Sequence, residues 1–456
     1  MKDRAIDIEA TTRSRRAAAA SAVGSLVEWY DFALYGAAAA LVFNTYFFVG
    51  DDPVTGLLLS FATFAVGYFA RPLGGILFGH LGDKIGRKPV MIACLVLMGL
   101  STTAIGILPS YDSVGLLAPI LLVSLRILQG LGAGAEYAGA VVLSSESSIP
   151  THRGFYASWS GAGVWIGSAL GLLTMQLMVV VTGDSFIVWG WRIPFLLSLV
   201  MLVISMYIRR KVSETEQFKH AEKTDQIVRV PFLTLLRSEK RRLLVALGSN
   251  FMLSGFSYIP QVWALSYLTN DLGVAAALAL GINAIILLSG AVFMPILGRL
   301  GDRVGRRRLY MFGAGFGALW AVPMFMLLDT RNPVLMTVAL AICFVGAVAT
   351  CYAAQAAFLA ELFPPALRYS GVAFARELSG AVLGGTAPLI ATALIAATGH
   401  WYAIAGFMIA NAVVGLIAVY YSKYFRSDED QADDERFNAD TTGTLLVEEN
   451  KRKVDL

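Results

Sequence analysis

Glu28 and Asp31 stand three residues apart in "GSLVEWYDFALYG" (24–36), a stretch otherwise apolar enough to lie in a bilayer. An unpaired charge there costs several kcal/mol, so each carboxylate needs a cation, a proton or a ligand. At about 100° per residue, Ser21, Gly24, Ser25, Glu28, Asp31 and Tyr35 fall on one helix face. Glu28 lies roughly 18 Å of helical rise beyond Arg16, away from the water interface. Two chemistries suit such acids: a structural ion pair, or a proton site whose occupancy makes and breaks an ion pair. In "RILQGLGAGAEYAGA" (126–140), Arg126, Gln129 and Glu136 share a face with Gly130 and Gly134. Arginine stays charged, so Arg126 needs a carboxylate, with Asp31 and Glu28 the internal candidates, or an anionic ligand. Glu136 sits closer to the helix end, where a gate or packing contact is as open to it as proton carriage. Arg71, deep in "FARPLGG", either pairs with Glu136 or snorkels to the interface. The same choice faces Arg376 in "FARELSG": snorkelling, or entering a cavity as a second cation for a carboxylate-bearing ligand.

Neutral polar groups extend this set. Asn250, Ser254, Ser257 and Gln261 line one face of a later apolar run; Trp165 and Ser168 mark another; Tyr352 and Gln355 add hydrogen-bonding capacity on a third. Small-residue helix packing accounts for the serines, but Gln261, Gln355 and Trp165 are poor packing choices and better ligand contacts.

The elements that position these residues are membrane helices. The chain of 456 residues is 57% hydrophobic and 15% charged, with mean hydropathy +0.65, too oily for a soluble domain. Apolar runs near the roughly 20 residues needed to span fall at 18–48, 55–80, 89–108, 114–143, 155–181, 189–208, 243–269, 275–298, 308–328, 333–360, 371–397 and 401–422. The first run is too long for a signal peptide and is expected to remain as a helix. The boundaries that follow are an N-terminal segment 1–17, a six-helix half 18–208, a polar linker 209–242, a second half 243–422 and a tail 423–456 expected to be disordered. Lys and Arg gather in the loops on one side, which predicts both termini in the cytoplasm.

The halves repeat. "GHLGDKIGRKPV" (79–90) returns as "GRLGDRVGRRRLY" (298–310), and Glu146 to Arg153 in "SSESSIPTHRG" has the spacing of Glu361 to Arg368 in "LAELFPPALRYSG". Glycines permit the tight turn, while Asp83 and Asp302 can meet a helix N-terminus or an arginine. Arg87 and Arg306 can anchor at the membrane surface. We assign these eight charged residues to gating between two states. Duplicated halves with a site between them, near the midplane, describe a rocking transporter.

The duplicated Gly-x-Leu-Gly-Asp-x-x-Gly-Arg loops resemble those of the major facilitator superfamily. "EWYDF", "FARPLGG", "RILQGLGAGAEYAGA", "WGWRIPFLLS", "RRKVSETEQF" and "AAFLAELFPPALRYSG" are together similar to its metabolite:proton symporters, from about residue 20 to 425. That family includes carriers of shikimate, 2-oxoglutarate, citrate, aromatic acids, and proline or betaine. Arg376 and Glu377 depart from members that are uncharged there. The resemblance implies an all-α integral membrane fold, a twelve-helix bundle of two pseudo-symmetric six-helix halves, and a role for Arg126 in proton coupling. The expected function is proton-coupled symport of a small organic acid, with osmolyte import or export as the rivals. Proton coupling is expected at Glu28, Asp31, Arg126 and Glu136, and substrate contact at Tyr35, Arg126, Gln129, Trp165, Asn250, Ser257, Gln261, Tyr352, Gln355 and Arg376.

Other classes fit poorly. The four histidines are scattered, no nucleophile motif or metal spacing occurs, and Cys94, Cys343 and Cys351 lie in apolar runs as small core residues. We therefore expect no enzyme activity, cofactor or metal, and no nucleic-acid partner. The expected partners are protons, a small molecule and lipid, and the expected state is a monomer in the cell membrane. The tail lacks the sustained heptads that would suggest an osmosensing relative.

Overall fold

The computed structural model describes residues 2–50, 52–85, 87–134, 153–211, 239–363 and 365–422. Among the described residues, twelve helical rods fall on the twelve apolar runs: α1 (Lys2–Leu41), α2 (Pro53–Ile85), α3 (Arg87–Ile105), α4 (Leu117–Gly134), α5 (Arg153–Thr182), α6 (Arg192–Lys211), α7 (Lys240–Asp271), α8 (Ala276–Val304) and α9 (Arg306–Leu328). Then come α10, Pro333–Cys343 running through Phe344–Ala349 into Thr350–Leu362; α11, Pro365–Ser379 running through Gly380–Gly384 into Ala387–Thr398; and α12, Tyr402–Tyr421. Among the described residues, nine helices are long and apolar enough to cross a membrane, and shorter apolar helices occur at Ile92–Ile105 and Arg192–Tyr207. The helix α1 runs back to Lys2, through the segment set apart at 1–17 in the sequence.

Local signals fix several starts. Asp52 accepts from the N–H groups of Val54 and Thr55 at 3.1 Å each, and Pro53 occupies the first helical position of α2. The Thr55 hydroxyl and the Val54 N–H hold the exposed Asp52 carboxyl below the usual carboxylate range. Asn332 caps α10 in the same way, accepting from Val334 and Leu335 before Pro333.

The two halves use one packing plan. In the first, α1 packs on α5, α2 on α4, and α3 on α4 and α6; in the second, α7 packs on α11, α8 on α10, and α9 on α10 and α12. Each contact maps onto its counterpart when six helices are added. The interface between halves obeys the same symmetry, because α5 against α8 and α2 against α11 exchange under that operation.

Close backbone approach makes these pairs possible. A Cβ on Gly163 or Gly167 of α5 would meet the carbonyl oxygens of Ala22 and Leu26 at 2.1 and 2.0 Å, and one on Gly134 of α4 would meet that of Arg71 at 1.9 Å. Lipid supplies little hydrophobic drive between helices, so contact of this tightness helps hold α1 to α5 and α2 to α4, together with hydrogen bonds such as Ser25–Ser160 between α1 and α5. Backbone regularity differs between halves: π-helical turns interrupt α7 at Met252–Phe256, Ile259–Trp263 and Tyr267–Asp271, α10 at Phe344–Ala349 and α11 at Gly380–Gly384. Such turns concentrate where helices bend or bind.

Candidate functional site

The carboxylates of α1 have separate partners. Glu28 accepts from Nη2 of Arg71 at 2.5 Å, and the Arg71 Nε lies 3.6 Å from an oxygen of Glu377 on α11. The first contact is a charge-assisted hydrogen bond inside one half; the second joins the halves and is too long for a hydrogen bond. Arg71 thus faces Glu28 and Glu377 rather than snorkelling, while Glu136, the other partner the sequence offered, lies outside the described residues. The depth of Arg71 in α2 puts it against α1 and α11, and it is buried.

Asp31 accepts from the Thr102 hydroxyl on α3 at 2.9 Å and from the Ser198 hydroxyl on α6 at 2.6 Å. Thr102 also takes a bond from Nε2 of Gln129 at 2.8 Å, and the Gln129 oxygen accepts from Arg126. The direct Arg126–carboxylate pair expected from the sequence is therefore a four-member chain, Arg126–Gln129–Thr102–Asp31, because α3 wedges a hydroxyl between α1 and α4.

Arg126 is 0% exposed, and among the described residues no carboxylate oxygen lies within ion-pair distance of it. Its Nη2 donates to the Phe64 carbonyl, its Nε has no hydrogen-bond partner among those residues, and its guanidinium carbon lies 4.0 Å from the Tyr35 ring centre, 4.8 Å from Phe32 and 5.2 Å from Phe64. Ring faces partly offset the missing counter-ion. Tyr35 itself donates to Thr63 at 2.7 Å.

A small central cavity of about 30 Å³ lies between the halves, bordered by Trp29, Phe32, Phe64, Tyr68, Tyr258 and Gln261 among others. It has room for about one or two waters. The hydroxyls of Tyr68 (α2) and Tyr258 (α7) meet across the halves at 2.6 Å. Of the residues proposed from the sequence, Gln261 borders this cavity. Trp165 sits at the interface, its ring 4.9 Å from Phe344 and 5.3 Å from Tyr352. Asn250 and Gln355 bond each other at 2.9 Å, Ser257 bonds back to Leu253, and Arg376 donates to Tyr352 at 3.3 Å. Arg376 thus turns inward rather than snorkelling.

At the end where α1 begins and α12 finishes, Asp302 accepts from the backbone N–H of Phe155 in the first turn of α5 at 3.1 Å and from Arg306 at 3.4 Å. Both options foreseen for this aspartate, a helix N-terminus and an arginine, are realised at once. The side chains of Asp83, Arg87, Arg153, Glu361 and Arg368 lie outside the described part of their helices, and Glu136 and Glu146 lie outside the described residues. At the opposite end a cavity of about 850 Å³ is lined by Trp263, Tyr267, Asp271, Asp329, Trp401 and neighbours. Asp329 accepts there from Trp401 at 2.6 Å and from Tyr267 at 3.2 Å.

Sequence reading missed Trp29, Tyr68, Tyr258, Thr102, Ser198 and Glu377 as members of the site. Tyr68 and Tyr258 carried a usable signal, since each is a tyrosine in the middle of an apolar helix, where its hydroxyl requires a partner.

Comparisons with known proteins agree with this architecture. The family model described as Major Facilitator Superfamily matches residues 21–385 and 264–452. The chain is 36% identical over 421 residues to the shikimate transporter of Escherichia coli (strain K12), covering 90% of this chain and 95% of that one. It is 34% identical over 419 residues to the proline/betaine transporter of the same strain, covering 88% and 82%. The crystal structure of a D-xylose–proton symporter superposes with a TM-score of 0.69 at 18% identity, covering 90% of this chain and 97% of that one. With duplicated halves, buried charged side chains between packed helices and these matches together, the chain belongs to the Major Facilitator Superfamily and is a multi-pass membrane transporter, not an enzyme.

Proposed function

We propose that the protein is a proton-coupled symporter that brings a small organic acid into a bacterial cell, with both termini in the cytoplasm, as a monomer of two halves, 18–208 and 243–422, joined by the linker 209–242. The observation that carries this reading is Arg126: a fully buried, permanently charged group without a carboxylate in reach among the described residues. Such a cation is tolerable in a membrane only if an anion or a nearby titrating acid shares its site for part of a cycle. Asp31, two hydrogen-bonded groups away, is the acid.

In the proposed cycle a proton from the exterior neutralises Asp31, and the field at Arg126 then favours an anionic substrate at the central cavity. Binding closes the outer end, the halves rock, and substrate and proton leave into the more alkaline cytoplasm. Each net positive charge gains about 2.3 kcal/mol per 100 mV of membrane potential. Glu28 and Glu136 complete the acidic set. Tyr35, Gln129, Trp165, Asn250, Ser257, Gln261, Tyr352, Gln355 and Arg376 are the surrounding contacts, and the duplicated loop residues Asp83, Arg87, Glu146, Arg153, Asp302, Arg306, Glu361 and Arg368 are the gates. The shikimate transporter among the relatives supports a cyclic carboxylate as substrate.

A second reading, osmolyte import, is favoured by one observation: the outer cavity pairs Asp271 and Asp329 with Trp263, Tyr267 and Trp401, a lining suited to a quaternary ammonium or amine. Proteoliposomes under an inward proton gradient, offered labelled shikimate, 2-oxoglutarate, citrate, protocatechuate, benzoate, proline and betaine, separate the two. Gradient-driven uptake of an acid by the wild type, with accumulation lost but exchange retained in Asp31→Asn, is expected. Uptake of betaine or proline alone, or uptake indifferent to the gradient, overturns the organic-acid symporter.

A further inference from the structure

Resting on the reading of Asp31 as the proton site, the geometry points to Thr102 as the positioning residue that lets this buried carboxyl gain and lose a proton without stranding a polar group. Three polar atoms meet the Thr102 hydroxyl oxygen: Gln129 Nε2 at 2.8 Å, Asp31 Oδ2 at 2.9 Å and the Met98 carbonyl oxygen at 2.9 Å. A hydroxyl has one proton to give and two lone pairs to receive. Gln129 has its orientation set by Arg126, which can only donate: the amide oxygen must face Arg126 and the NH₂ must face Thr102. One lone pair of Thr102 is therefore always taken. Met98 O can only accept. The remaining lone pair and the single proton of Thr102 are left to divide between Asp31 and Met98.

Two arrangements satisfy every group. With Asp31 ionised, Thr102 donates to Oδ2. With Oδ2 protonated, Asp31 donates to the free lone pair of Thr102, whose own proton turns to Met98 O. Ser198 donates to the other carboxylate oxygen at 2.6 Å in both. The change between them is one hydroxyl rotation, Thr102 neither gains nor loses a proton, and the link from Asp31 through Gln129 to Arg126 persists throughout. The charged group facing Asp31 from α4 is Arg126, and Tyr30 is its titratable neighbour on α1. The contacts from α3 and α6 are the hydroxyls of Thr102 and Ser198. Every member of the relay belongs to α1, α3, α4 or α6 of the first half, so the proton is handled on one side of the interface that must rock.

The test needs no known substrate. Infrared difference spectra of the purified full-length protein in liposomes, titrated with pH, give the protonated-carboxyl band of Asp31, assigned by its loss in Asp31→Asn. Thr102→Val removes a charge-assisted bond from the ionised form, so the midpoint of that band is expected to move to higher pH by about one unit, and its frequency to rise as the carboxyl loses its acceptor. Thr102→Ser is expected to restore both, and Thr102→Ala serves where Val fails to fold. A role in packing alone would lower yield or transport at every pH and leave the midpoint in place. A band whose midpoint and frequency are the same in wild type and in the Val or Ala variant overturns the Thr102 assignment alone. The absence of any pH-dependent band lost in Asp31→Asn overturns the proton-site reading beneath it.

Discussion

Two arginines flank one phenylalanine in the first half, and their surroundings set their roles. The guanidinium carbons of Arg71 and Arg126 lie 4.7 and 4.8 Å from the centre of Phe32, yet Arg71 lies between two carboxylates and Arg126 among rings and amides. A planar guanidinium suits the second site because it stacks on aromatic faces and bonds through two ends at once. Lysine keeps the charge but is a compact, strongly hydrated ammonium, so Arg126→Lys is expected to cut gradient-driven uptake by at least about tenfold, or about 1.4 kcal/mol, at unchanged protein abundance. Uptake within twofold of wild type would show that charge alone suffices there. These charges were legible in the sequence because any ionised side chain stands out in an apolar helix. Thr102 was not: Ser101, Thr102 and Thr103 all have the hydroxyl within bonding distance of the carbonyl four residues back, and Thr102 is set apart by what α1 and α4 bring to it.

At the scale of elements, helix number, the duplicated loops and polar faces were readable from hydropathy and repeat alone, whereas partner choice was not. Spacing places Glu28 and Asp31 on one face of α1, but it takes the approach of α2 and α3 to give one an arginine and the other a hydroxyl. Helix α1 also packs against α5, where Gly167 makes the closest glycine approach. A Cβ there would lie 2.0 Å from the Leu26 carbonyl oxygen, which is backbone and can yield only if the helices separate. Gly167→Ala is expected to destabilise the protein by about 1–3 kcal/mol, read as a lower melting temperature in detergent. Gly406 on α12 has open space where a Cβ would go, so Gly406→Ala should fall within about 0.5 kcal/mol of wild type. Equal losses in the two variants would remove the close-approach account of α1 and α5.

The two halves are latched together at the end where α1 begins and α12 finishes. Polar contacts that cross there or at the middle among the described residues include Asp302 with the first turn of α5, Arg71 with Glu377, and Tyr68 with Tyr258, and the Arg299 guanidinium lies 4.2 Å from the Phe155 ring centre. Rocking the halves apart at that end must break these, while Arg71–Glu28, internal to one half, can survive. The geometry matches that division, since the internal contact is 2.5 Å and the crossing one 3.6 Å. Glu377→Gln removes the charge of the crossing partner and nearly keeps its shape, leaving Arg71 its bond to Glu28. The opening equilibrium should therefore shift toward exposure of the α5 end. Ser158, buried one turn beyond Phe155 on α5, reports it: Ser158→Cys should react with a membrane-impermeant maleimide supplied on the side where α1 begins about three- to tenfold faster in the Glu377→Gln background, the ratio that about 0.7–1.4 kcal/mol of lost crossing interaction produces. Cys94, Cys343 and Cys351 are buried and supply little background. Reaction at the parental rate would mean that Arg71–Glu377 does not hold the closed state, and would leave closure to the other contacts across the halves, among them the Asp302 cap and the tyrosine pair.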